Sequence, residues 1–245
     1  WEKDYPVFGE NGTIPEMFDT ESTRKGYEYR PLVECDDFRN RGNIVDAASD
    51  RMTVNEAFDS FGLKSCWQWN HEPNPQLWSI CPEGGLRIQT GKICTNLTQA
   101  VNTLTQRMMW PECSAEVAVD VSDIREGDIA GFCALQGCYA AACVSREKNR
   151  FFLNIMAKKP EDGFKGTDFT ADDISEKVEI LKPLVRLRAI ANFADMRDTV
   201  EFYYEREGQW KKLGKTYKLY FKLDHFTGCR FGLFCYATRE TGGSA

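Results

Sequence analysis

The residues best equipped for chemistry lie in one short run, "CWQWNHEPNPQLW", at positions 66–78. Trp67, Trp69 and Trp78 offer broad apolar ring faces, and Asn70, His71, Asn74 and Gln76 set donors and acceptors beside them. Rings that cover C–H faces, flanked by groups that bond hydroxyls, are what carbohydrate recognition uses. Trp67 and Trp69 are separated by one residue, so on an extended strand they fall on one face. Two core-filling tryptophans of a β-sandwich would produce the same pattern. The spacing leaves both readings open and exposes at most one of the pair.

Hydrolytic chemistry is less well supplied. A retaining glycosidase needs two carboxylates about 5 Å apart. Glu116 and Asp120 share a strand face, but four residues of extended chain separate them by about 13 Å. They read as a solvent-facing pair opposite a core row of Val117, Val119 and Val121. The two histidines, His71 and His225, lie in no nucleophile elbow. Asp224 and His225 are chain neighbours, and neighbours on a strand point to opposite faces. No catalytic residue is assigned. The ten cysteines contain no C-x-x-C pair, and several sit inside apolar runs such as "GFCAL" and "GLFCYA". They read as buried, reduced thiols without a metal, which favours a cytoplasmic setting. A Cys133–Cys143 bridge is the one exception to watch. The two N-x-T sequons, at Asn11 and Asn96, read as chance matches. The acidic stretch "KPEDGFKGTDFTADDISEKVEI" reads as a solvated loop. Its carboxylates could take calcium, although their spacing does not match the EF-hand loop.

Whatever these residues do, β-structure must position them. The chain has 245 residues, 42% hydrophobic and 28% charged, enough for one large β domain with a real core. Its net charge is −6 with no Lys/Arg cluster longer than a pair, which argues against a nucleic-acid partner. No apolar run is long enough to span a bilayer as a helix. Residues 1–34 are turn-rich and aperiodic and read as an irregular connector. From Cys35 to Ala245, short alternating runs separated by Gly, Pro, Asn and Asp predict an all-β, two-sheet antiparallel sandwich. "SAEVAVDVS" is the clearest strand. "GGLRIQTG", "DIAGFCALQ", "RFFLNIMA", "VRLRAIAN", "TVEFYYERE", "YKLYF" and "CRFGLFCYA" follow the same logic.

Four separated segments carry a resemblance over roughly residues 58–243. "FDSFGLKSCWQWNHEPNPQLWSI", "GGLRIQTG", "NTLTQRMMWPECSAEVAVDVSDIREGDIAGFCALQ" and "HFTGCRFGLFCYATRETGG" together resemble the C-terminal domain of glycoside hydrolase family 43. That family comprises β-xylosidases and α-L-arabinofuranosidases. The resemblance implies a concanavalin A-like jelly roll, also classed as a xylan-binding module. It also implies a catalytic five-bladed propeller, bearing the family's acidic residues, before Trp1. The opening "YPVFGENGTIPE" resembles the strand that leaves the propeller. In some relatives a sandwich loop closes the catalytic pocket with an aromatic side chain, which points to "LDHFTG", with His225 and Phe226. Relatives continue past "ETGG" into an acidic-aromatic terminal strand, so one strand position is expected to stand unfilled or to be filled by residues beyond Ala245.

Two functions follow as expectations. One is a non-catalytic accessory domain that binds xylan or xylo-oligosaccharide through Trp67 or Trp69 with Asn70, His71 and Trp78. The other is a buttress that packs on the propeller and shapes its pocket without binding glycan. An independent hydrolase is disfavoured by the missing carboxylate pair.

Overall fold

A computed structural model describes residues 55–59, 62–158, 173–219 and 228–245. The chain divides into two compact units, Trp1–Asn55 and Glu56–Ala245, and the second holds all described residues but Asn55. The expected boundary between residues 34 and 35 lies outside the described residues.

The described strands are β1 (Gln68–Trp69), β2 (Trp78–Ile80), β3 (Leu86–Ile88), β4 (Leu104–Arg107), β5 (Glu112–Asp120) and β6 (Asp128–Leu135). They continue with β7 (Tyr139–Glu147), β8 (Arg150–Lys158), β9 (Asp173–Ile180), β10 (Leu184–Asn192), β11 (Thr199–Arg206), β12 (Gln209–Lys218) and β13 (Arg230–Ala237). One sheet runs in the order β1-β4-β13-β6-β7-β8-β9, and a second in the order β12-β11-β10-β5, while β2 and β3 form a small ribbon. All strand pairs are antiparallel. The architecture is the two-sheet sandwich that the alternating pattern predicts. No helix among the described residues is long and apolar enough to cross a membrane.

The core lies between the sheets. β5 turns Val119 into it, with Val117 half-buried against it, and leaves Glu116 and Asp120 in solvent. Only this register works, because a slip of one residue would bury both carboxylates. Phe132 of β6 stacks on Phe231 of β13 at 5.5 Å and meets Phe202 of β11 edge-on at 6.5 Å, locking the sheets together. The larger sheet also buries its other face. Cys133, Cys143, Met156, Phe234 and Tyr236 form a second cluster there with Cys94, Leu97 and Ala100 from the segment before β4.

That second cluster explains a strand the periodicity misses. In β7 the first seven residues, "YAAACVS", are all buried, so no alternation is visible in the sequence. β9 was expected to be part of a solvated acidic loop, and this is corrected. It is an edge strand whose period is broken near Glu176, where φ is 51° and the register against β8 shifts. The rest of that stretch, residues 159–172, lies outside the described residues.

None of the nine described cysteines is in a disulfide. Cys133 faces Ala141, and Cys143 faces Gly131, so the two thiols are diagonal neighbours and the bridge between them is not formed. Burial pushes both thiols up to about 12, far from the reactive thiolate. β5 is the last strand of its sheet, and its outer edge has no strand partner among the described residues. A cavity of about 470 Å³ lies there, walled by Val117, Val119, Phe58, Leu86, Ile88 and Ala245.

Candidate functional site

The "WQWNH" run is a strand of only two residues, paired to β4 through Gln68↔Thr105 and Trp69↔Leu104. Its tryptophans do not share a partner. Trp67 packs on Phe58 at 5.3 Å, and its indole N–H donates to Glu56 Oε2 at 3.2 Å. Desolvation pulls the Glu56 carboxyl up, but hydrogen bonds from the Phe58 amide, Trp67 and Lys64 outweigh it and hold the group below the usual carboxylate range. Trp69 packs instead on Trp78, with ring centres 5.1 Å apart. Trp67, Trp69 and Trp78 are all half-buried, so neither Trp67 nor Trp69 is a fully exposed platform or a fully buried core ring.

The polar residues beside them are also occupied. His71 Nε2 lies 2.9 Å from the Thr98 carbonyl and 3.2 Å from Asn70 Nδ2. Asn70 Oδ1 accepts from Arg230 Nη2 at 2.6 Å, and the Asn70 backbone N–H donates to the Thr103 carbonyl at 2.9 Å. Asn74 caps the turn at Pro75–Leu77 through Gln76 N and exchanges two hydrogen bonds with the Asn102 side chain. Short polar side chains here close turns and strand ends, a structural use of the same chemistry.

Arg230 was not picked out by sequence reasoning, although an arginine inside the apolar run "GCRFGLF" is a signal. It is 3% exposed and lies on the face of the larger sheet away from the core. Asn70 and Thr105 accept from its Nη atoms, and its Nε is buried without a partner. Burial pulls its guanidinium down from the ordinary arginine range. Without Asn70, a buried cation would lose its closest acceptor.

The solvent face of the smaller sheet carries the expected carboxylates in unexpected company. Glu116 bonds Arg186 at 3.3 Å and Arg188 at 2.6 Å, and Arg188 lies 4.1 Å over the Trp210 ring. Asp120 accepts from Ser122 instead. The two acids are not brought together. Glu201 accepts from Lys212, Thr216 and Tyr203, and those bonds hold its carboxyl down at about 2. Among the described residues no group of three or more His, Cys, Asp or Glu could hold a metal ion.

One end of the sandwich was also missed. Between β4 and β5, Met109 is 50% and Trp110 75% exposed, and Met196 in the β10–β11 turn is 86% exposed. Among the described residues Trp110 makes no ring contact. The signal was the run "MMWP" ahead of a strand, but no period marks which of its side chains turn outward. His225 and Phe226 lie outside the described residues.

Residues 55–245 match the family model described as the β-xylosidase C-terminal concanavalin A-like domain. The chain belongs to this family. A β-xylosidase of Formosa agariphila is 26% identical over 217 residues, covering 78% of this chain and 33% of that protein. A solved structure of a bifunctional family 43 protein from Bacteroides eggerthii shares 36% identity with a TM-score of 0.66 over 74% of this chain and 23% of that one. Another is an engineered family 43 glycoside hydrolase, described as both endo-xylanase and exo-arabinofuranosidase. It shares 25% identity with a TM-score of 0.71, over 80% of this chain and 40% of that one. The chain thus spans between 23% and 40% of the length of these relatives.

Proposed function

We propose that this family 43 C-terminal domain is a non-catalytic buttress of a glycoside hydrolase acting on xylan or arabinoxylan. In this reading it packs on the catalytic propeller and shapes the pocket, and it does not itself grip the glycan. The observation that carries it is the occupation of the "WQWNH" side chains. Trp67 is spent on Phe58 and Glu56, Trp69 on Trp78, Asn70 on Arg230 and His71 on Thr98. A sugar platform needs a bare ring face with free polar groups beside it, and these are engaged with one another.

A second reading keeps direct xylan binding at the same run. It is favoured by the exposure of His71 and by the half-covered state of the three rings. Calorimetric titration of the 245-residue chain with xylo-oligosaccharides, with affinity electrophoresis in xylan gels, separates the two. The buttress reading expects no heat of binding and no retardation. Saturable binding, roughly millimolar to micromolar for a site with one or two rings, and its loss in Trp67→Ala or Trp69→Ala, would replace it with the second.

A further inference from the structure

We infer that the end of the sandwich bearing Met109, Trp110 and Met196 is the surface on which the catalytic domain of the same enzyme docks. The inference rests on the buttress reading and names the surface through which it acts.

Exposed large apolar side chains also occur elsewhere, with Leu181 and Leu184 close together at the β9–β10 turn, but Met109, Trp110 and Met196 are presented by two segments far apart in sequence. The Phe193 amide donates to the Pro111 carbonyl at 2.8 Å, which ties the 108–111 link to the 193–198 turn. Trp110 and Met196 are therefore presented by two segments clamped side by side. The 193–198 turn is built to hold its shape. Asp195, Met196 and Asp198 have φ of 52°, 55° and 45°, a region that L-residues other than Asn and Asp rarely enter. Such a turn persists only where its surroundings over-determine it. Here the Asn192 side chain accepts from Ala194 N at 3.0 Å. Lys218 Nζ donates to the Arg197 carbonyl at 2.7 Å, and Leu219 N to the Asp198 carbonyl at 2.6 Å. The fold thus spends backbone strain to hold a methionine out in water.

Trp, Met and Arg are the residues that mark the centres of protein interfaces, and an apolar patch of this kind on one face marks an interaction site. Arg107, two residues before Met109, is exposed and has no ion pair among the described residues. The complementary surface is therefore apolar with a carboxylate at its rim, facing Arg107. The occupant is assigned to the catalytic domain because the relatives this chain matches are much longer than it is, with the rest of their length outside this domain. A glycan is a poorer fit, since the amide and carboxylate at this end, Asn192 and Glu112, are hydrogen-bonded to each other.

The test uses the whole enzyme that carries this domain. Trp110→Ser with Met196→Gln, and separately Arg107→Glu, are compared with Leu181→Ser. Leu181 is 94% exposed in the turn before Leu184, and the register of β10 on β5 puts that turn at the opposite end of the sandwich. Calorimetric unfolding of the patch variants is expected to split from one transition into two, and protease cleavage between the domains to accelerate about tenfold or more, as loss of an interface hot spot implies. The Leu181→Ser enzyme should match wild type, and the patch variants of the 245-residue chain alone should melt as wild type does. Patch variants that match the Leu181→Ser enzyme, or that destabilise the isolated chain equally, overturn the assignment. Deleting the domain separates this from failure of the buttress reading. If deletion leaves the stability and turnover of the catalytic domain unchanged, the buttress reading falls. If deletion impairs them and the patch variants do not, only the surface assignment falls.

Discussion

Two aromatic regions of this domain invite comparison. In the 56–78 region every tryptophan has a neighbouring ring, with Phe58 against Trp67 and Trp69 against Trp78. At the β4–β5 link, Trp110 stands 75% exposed between a methionine and a proline. The first region is dense in residue types that recognise sugars, yet most of its groups engage one another, the buried Trp78 indole N–H being left without a partner. The second has no sugar-recognising composition, yet it is the one left facing solvent. Density of functional residue types thus predicts a local network, and exposure without a partner predicts a site.

The largest effect expected from this contrast is on stability. Trp69→Ala should cost the isolated domain about 2–4 kcal/mol, somewhat less than a fully buried ring, because it opens a gap against Trp78. Trp110→Ala should change stability by no more than about 0.5 kcal/mol. Urea unfolding of both variants measures this, and comparable losses would erase the distinction.

The polar groups should divide in the same way. Asn70→Ala removes the closest acceptor of the buried Arg230 guanidinium and is expected to cost about 1–3 kcal/mol. Arg107→Ala, in the adjacent register position, should cost almost nothing. If Asn70→Ala were neutral, the structural use of the "WQWNH" run would lose its main polar support.

A smaller effect sharpens the comparison by testing a surface group that is partnered. The Glu201 carboxyl is held at about 2 by Lys212, Thr216 and Tyr203, below an ordinary value of 4.5. A carboxyl with a depressed folded-state pKa stabilises the fold above its unfolded value, and that stability is lost as pH falls from about 4.5 to about 2. Glu201 is partly exposed, so solvent screening limits the effect to about 1 kcal/mol. Glu201→Gln should lower stability at neutral pH by that amount and flatten the acid limb of the pH profile. An unchanged acid limb would show that surface partnering here contributes little.

The same contrast shows what was legible in the sequence. Strict alternation in "SAEVAVDVS" gave β5 its register, because one face is wet and the other dry. β7 was illegible because both of its faces are buried, and β9 because a bulge near Glu176 resets its period. At the candidate site the period could say that Trp67 and Trp69 point away from their neighbours, but not what would cover them. Phe58 and Trp78, 9 residues away on either side, supply that cover, and such pairings leave no mark on local spacing. Arg230 and Trp110 were missed for a related reason. Each is a single residue whose meaning depends on whether a partner is present, which only the three-dimensional arrangement shows.

The most direct measurement is hydroxyl-radical footprinting read by mass spectrometry, since Met and Trp oxidise readily where solvent reaches them. In the 245-residue chain, Met109, Trp110 and Met196 should label quickly, well ahead of Trp67, Trp69 and Trp78. In the whole enzyme those three should become protected while Leu181 labels unchanged. Equal labelling of Trp110 in both, or faster labelling of the 67–78 tryptophans than of Trp110 in the isolated chain, would contradict the account.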